Sequence, residues 1–186
     1  DDGSIYISGS TNGNLDGLIN SGGSDIFLSK FDLSGNKEWT ILSGSSVGDF
    51  SEGLAIGKDG FIYIIGTTSG NFDGQINNGK DDIFLSKFDS HGFKQWTRLI
   101  GTEDHDWGQD IEIDDNGMIY ILGGTNGDLG ILTNEGRGNL LMKYNSDGIK
   151  QWEKLIGTAD DFKGRDMAIS KDGTIYITGT TYGDLN

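Results

Sequence analysis

The chain has 186 residues, of which 32 are Gly and none is Pro or Cys, and it carries 29 acidic against 14 basic side chains for a formal charge of −15. Without Cys there is no disulfide, thiolate or zinc-knuckle chemistry, so packing and backbone pairing must hold the fold. A pI near 4.2 excludes the basic surface that nucleic-acid binding needs, and no apolar run approaches the roughly 20 residues of a membrane helix, so neither nucleic acid nor membrane insertion is expected.

High Gly with recurring aromatics predicts an internal repeat. Trp39, Trp96 and Trp152 follow GNKEW, GFKQW and GIKQW at separations of 57 and 56, and Tyr6, Tyr63, Tyr120 and Tyr176 sit in SIYIS, FIYII, MIYIL and TIYIT at 57, 57 and 56. Two independent markers keep one period. The chain divides into repeats at approximately 3–59, 60–116 and 117–172 with a partial copy at 173–186, one array over 1–186.

In chain order the elements begin with the apolar strand around Tyr6, of the same type as FIYIIGTT (61–68). A Gly/Asn/Asp-rich connection (11–24) leads to a strand of the DIFLSKFD type (82–89 in the second copy), and a tight turn to one of the KQWTRLIG type (94–101). A further connection (43–52) precedes GLAIG (53–57), matched by DIEID (110–114) and DMAIS (166–170). KDG and DDNG turns then restart the cycle. No segment keeps a 3.6-residue period, so every repeat is four antiparallel strands and the chain is all-β. FIYIIGTT is apolar on both faces, as expected of a strand covered on both sides. GLAIG alternates bulk with a methyl, as expected near a crowded axis, and the Trp strand is polar, as expected of an outer edge. These are the features of a β-propeller blade.

The repeat resembles the bacterial seven-bladed β-propeller repeat family, whose units carry DG-hydrophobic-Tyr-hydrophobic-x-G, G-x-D-hydrophobic-Phe-hydrophobic-x-Lys-hydrophobic-Asp and G-x-x-x-W. The third copy departs, with Gly138 and Asn139 where the second has Asp82 and Ile83. The resemblance implies a secreted or surface-attached bacterial protein and supplies no catalytic residues. Asp89, Gly92 and Trp96 also resemble the motif of quinoprotein propellers, where such a Trp packs between blades. Thirteen strands and about three copies are too few for an ordinary ring of four to eight blades, so an arc of a larger or assembled propeller is expected, with self-association through unpaired terminal strands as a route to assembly.

In such a meander the turns after the first and third strand types share one face, and the longer acidic connections share the other: 11–24, 68–81 and 125–138 with 43–52, 101–110 and 157–166. That loop face is the expected binding surface, for a glycan or a protein. Its candidate residues are Asn14, Asp16, Asn71, Asp73 and Asp128 in the recurring Asn/Asp-hydrophobic-Asp-Gly corner, with Trp107 and Glu112. The corner also reads as an Asx-type turn stapled by Leu or Phe. Asp104, Asp106 and Asp110, with Gly108 between, resemble the start of a calcium loop, which makes Ca²⁺ the candidate ion, although the Glu expected twelve residues on is missing. Lys30, Lys87 and Lys143 recur in the third strand type beside Asp32, Asp89 and Asn145, as expected of structural ion pairs. Glu112, in place of Ala, is expected to face the central channel.

No nucleophile elbow, phosphate loop or H-E-x-x-H is present, and His91 and His105 fall on opposite faces, so a non-catalytic chain is expected. The alternatives are a glycan-active enzyme built on paired carboxylates, or a purely structural spacer.

Overall fold

The computed structural model describes residues 3–128, 138–156 and 162–181. Among the described residues thirteen strands form four antiparallel sheets: β1 (Ile5–Thr11), β2 (Asp25–Phe31) and β3 (Lys37–Ser43); β4 (Asp49–Ile56), β5 (Ile62–Thr68), β6 (Asp82–Phe88) and β7 (Lys94–Ile100); β8 (Asp106–Ile113), β9 (Ile119–Thr125), β10 (Gly138–Tyr144) and β11 (Lys150–Ile156); β12 (Phe162–Ile169) and β13 (Ile175–Thr181). Strand order follows chain order in each, and the described residues contain no helix long and apolar enough to cross a membrane. The sheets are the blades of a β-propeller arc that is not closed into a ring. Each full blade starts one strand earlier than the repeat as cut by its tyrosines.

Blades stack through their faces. Ile62 and Ile64 of β5 pack with Ile26, Leu28, Phe84 and Phe88 toward the first sheet, whereas Tyr63 and Ile65 pack with Ile83, Leu85, Ile111, Ile119, Ile121 and Leu140 toward the third. Both faces of β5 are therefore buried, which is why its apolar run does not alternate. Tyr120, Leu122, Leu141 and Met167 repeat the arrangement one blade on. The inner strands lie side by side, β4 next to β8 and β8 next to β12.

The inner strands begin four residues before the expected start, at Asp49 and Asp106, because a bulge lets them run on past the break in alternation. The register shifts between Ser51 and Gly53, Gly108 and Asp110, and Gly164 and Asp166. The tight turns are as expected. Gly60, Gly117 and Gly173, in the turns after the first strand type, and Gly35, Gly92 and Gly148, in the turns after the third, all have positive φ. Trp39 lies against Gly92, and Trp96 against Gly148, so these two outer-strand tryptophans pack on a turn of the following blade.

The recurrent lysines have other partners than the sequence suggests. Lys30 pairs with Glu38 at 3.0 Å, while Lys87 donates to the carbonyl of Ser146 in the next blade and lies 3.9 Å from the Phe61 ring centroid. Asp32 and Asp89 are taken up instead by backbone N–H groups of their own turns. A carboxylate two residues beyond the lysine, pointing along the turn, finds those donors first.

Candidate functional site on the loop face

The long connections are drawn together pairwise between blades. Gly23 N–H donates to the Val47 carbonyl and Asp49 N–H to Ser24, and one blade later Lys80 N–H donates to Asp104 and Asp106 N–H to Asp81. Two connections distant in sequence thus form one continuous surface across each of these two junctions.

At the second junction this surface encloses a cleft of about 610 Å³ lined by Asn78, Gly101, Thr102, Glu103, Asp104, Gly127 and Asp128. The Lys80 ammonium meets Asp104 at 2.7 Å and holds its carboxyl below the usual carboxylate range. Beside it, Ser69 Oγ donates to Asp81 at 2.6 Å, and Asp81 is hydrogen-bonded to His105 Nδ1. Asp81 lies between the hydroxyl and the imidazole, so Ser69 is not placed as a nucleophile for that His. The side chains at hand are polar and mostly acidic, suited to hydroxyl groups and cations. A second cleft of similar volume, on the turn face between the first two sheets, has a lining with more aliphatic surface, including Ile5, Leu33 and Ile56.

Of the residues picked from sequence, Asp104 and Asp128 line the loop-face cleft. The corner residues do other work. Leu15 to Leu18 and Phe72 to Gln75 close on themselves through reciprocal backbone bonds, with Asp16 and Gly17, and Asp73 and Gly74, all at positive φ. Two successive positive φ values make this a tight primed turn, in which Asp is tolerated. Asn14 and Asn71 accept from the N–H of Asn20 and Asn77, Asp16 pairs with Lys37, and Asp73 accepts from Lys94 and Thr97 on the outer strand. The corner is thus stapled to its own blade, with Phe72 buried edge-on against Phe84. The equivalent corners of the third and fourth copies lie, beyond Asp128, outside the described residues.

Trp107 lies in β8 with its ring over Gly124, where a Cβ would stand 2.1 Å from it. Glu112 is on the inner strand β8, and burial, with Asp110 and Asp166 nearby, raises its carboxyl. Asp110 accepts the Met167 N–H of β12 at 2.7 Å, which joins two inner strands.

The three carboxylates of the calcium-loop expectation are not brought together. Asp104 faces Lys80, Asp106 is buried at the start of β8 and accepts from Thr102, and Asp110 lies beyond the bulge against β12. A strand, not a loop, carries Asp106 to Asp110, so they follow the pleat and bulge instead of encircling one point. Among the described residues no three His, Asp or Glu side chains form a metal-ligand group. The spacing within its own segment does not reveal the buried neighbour of Asp106, Asp82, nor the equivalent buried pair Asp25 and Asp49 one junction earlier. The available signal was an Asp opening both DIFLSKF strands with another 24 residues on, and the loss of both in the third copy.

Segments 38–73, 95–130 and 151–186 match a family model described as SBBP, beta-propeller repeat. Regulatory protein FlaEY of Caulobacter vibrioides is 27% identical over 201 residues, which cover 96% of this chain and 21% of that protein. The chain therefore spans about a fifth of the length of this curated relative. A solved luciferin-regenerating enzyme aligns with a TM-score of 0.48 at 13% identity, over 96% of this chain and 50% of that one.

Proposed function

The chain belongs to the SBBP β-propeller repeat family, and from that premise we propose that it is a non-catalytic binding segment of a secreted or cell-surface bacterial protein, engaging a glycan or protein through its acidic loop face. The observation that carries this is the cleft at the second junction. There Asn78, Thr102, Glu103, Asp104 and Asp128 from three connections converge on one surface, supported by rigid strands. Carboxylate and amide side chains at fixed spacing suit sugar hydroxyls or the basic groups of a protein. The similarity to a regulatory protein is compatible with a repeat module that recognises other molecules.

Glycan-array screening of the purified chain, with Glu103→Gln and Thr102→Val beside it, tests the proposal. Binding that weakens about tenfold in either variant supports it, since a lost hydrogen bond to a charged group is worth roughly 1.5–3 kcal/mol. No binding to glycans or basic peptides would leave an architectural role. That second reading draws support from Ile5, Ile7 and Tyr176, which are exposed on the outermost sheets. Self-association seen by sedimentation, and lost in Ile5→Ser with Ile7→Ser, would favour it.

A further inference from the structure

Four aspartates anchor the connections of the loop face in the same way. Asp25 and Asp82 open β2 and β6, strands of the same type in successive blades, and Asp49 and Asp106 open the first strand of the blade that follows each. All four are completely buried. In each, Oδ2 accepts the backbone N–H four residues earlier, from Ser21, Asn78, Ser45 and Thr102. No donor meets the Oδ1 of any of the four at hydrogen-bond geometry, and the hydroxyls of Thr68 and Thr125 favour the ionised forms of Asp49 and Asp106 from nearby without supplying a positive charge. One orphaned carboxylate oxygen in the interior is a cost that native proteins rarely carry, and four at equivalent positions point to a shared cause.

The aspartates meet in pairs. A Cβ at Gly101 would stand 2.2 Å from Oδ1 of Asp82 and 3.1 Å from Oδ2 of Asp106, so both carboxylates occupy the space a side chain there would need. Gly44 stands in the same relation to Oδ1 of Asp25, at 2.3 Å. Among the described residues none of the four is ion-paired with Lys, Arg or His, and the further charges acting on Asp82 and Asp106 are the acidic Asp81 and Asp104. Paired carboxylates removed from water require a compensating positive charge.

The third junction supplies the internal comparison. Strand register places Gly138 where the second junction has Asp82, and Phe162 where it has Asp106. Both carboxylates are lost together. Independent loop staples could be lost singly, whereas residues holding one ligand lose their purpose as a pair.

We propose that the Asp25–Asp49 and Asp82–Asp106 junctions each bind one hard divalent cation of the Ca²⁺ type. Two carboxylates fall short of a full ligand shell, so backbone carbonyls and water complete it, as the irregular oxygen shell of Ca²⁺ allows. Such a site belongs to the weak class, with Kd on the order of 10⁻⁴–10⁻³ M.

The test is calorimetric titration of the EDTA-treated chain with CaCl₂, alongside Asp25→Asn and Asp82→Asn, whose folding is checked by circular dichroism. Two ions per chain are expected, falling to one in each variant, and the melting temperature of the wild-type chain should rise with Ca²⁺. Terbium provides a readout that needs no variant. Trp107 follows Asp106 directly, so Tb³⁺ at the second junction should emit on Trp excitation, and excess Ca²⁺ should quench it. The proposal is overturned by the absence of heat with Ca²⁺, Mg²⁺ and Mn²⁺, or by binding whose stoichiometry is unchanged in both variants.

Discussion

Asp82 and Asp106 stand on consecutive blades, yet their carboxylates converge on one glycine, Gly101, which has no room for a side chain. Burial raises the carboxyls of both, and the Asp106 charge raises that of Asp82 further. The junction between blades is therefore held by staples whose stability depends on what neutralises them. The same device recurs at Asp25 and Asp49, so much of the organisation of the loop face rests on it.

Trp96 makes the turn at Gly148 sensitive in a way that the open turn at Gly117 is not. Gly148 has φ 72 and a Cβ there would lie 3.1 Å from the Trp96 ring, whereas Gly117 has φ 76 and open space around it. Gly117→Ala should cost about 1–2 kcal/mol from the left-handed backbone alone. Gly148→Ala adds an overpacking cost of about 1–3 kcal/mol. Thermal melts of the two variants should therefore differ by several degrees, at about 2–4 °C per kcal/mol for a chain of this size. Equal losses would show that Trp96 does not dock there.

Asp73 combines a left-handed backbone, at φ 51, with hydrogen bonds from Lys94 and Thr97. Asp73→Asn keeps the tolerated conformation and one acceptor, and should cost less than about 1 kcal/mol. Asp73→Ala loses the acceptors and strains the turn, for about 2 kcal/mol. Urea unfolding of both variants measures the difference. A larger loss in the Asn variant would contradict a turn-and-staple role for this residue.

Lys87 is almost wholly buried, and its ammonium reaches the Ser146 carbonyl across the blade junction while lying over Phe61. Lys87→Met retains the apolar stem and removes the donor. Leaving that carbonyl without the bond should destabilise the chain by about 1–3 kcal/mol, read as a shift in denaturant midpoint with an unchanged m-value.

Much of the fold was legible because its signals repeat. The doubly apolar strand around Tyr63, the turn glycines and the Trp period each fix a strand type, and together they fix a blade. The start of the inner strands was not legible, because the bulge at Ser51 to Gly53 breaks the alternation from which strands are read. The site was less accessible still. Asp73 looks like a ligand-binding corner in sequence, but its carboxylate is occupied by Lys94 and Thr97, partners more than 20 residues away. Spacing within its own segment marks Asp106 as a metal ligand beside Asp104 and Asp110. Its partner Asp82 lies across the blade junction, and local spacing carries no information about that.

The pH dependence of the second junction tests the account most directly. The folded-state carboxyls of Asp82 and Asp106 lie above their unfolded values, so the stability they contribute is fully present below about pH 3.9 and is lost as pH rises through the folded-state values. Asp82→Asn keeps an acceptor for the Asn78 N–H, removes one charge and supplies a donor toward the Asp106 carboxylate. Melting temperatures of the wild-type chain and this variant should be compared in EDTA from about pH 4 to pH 8. The account predicts that the variant is the more stable near pH 7 and that its advantage shrinks as pH falls toward 4. Parallel curves across that range, or a variant that is less stable at neutral pH, would contradict a junction built on two uncompensated buried carboxylates.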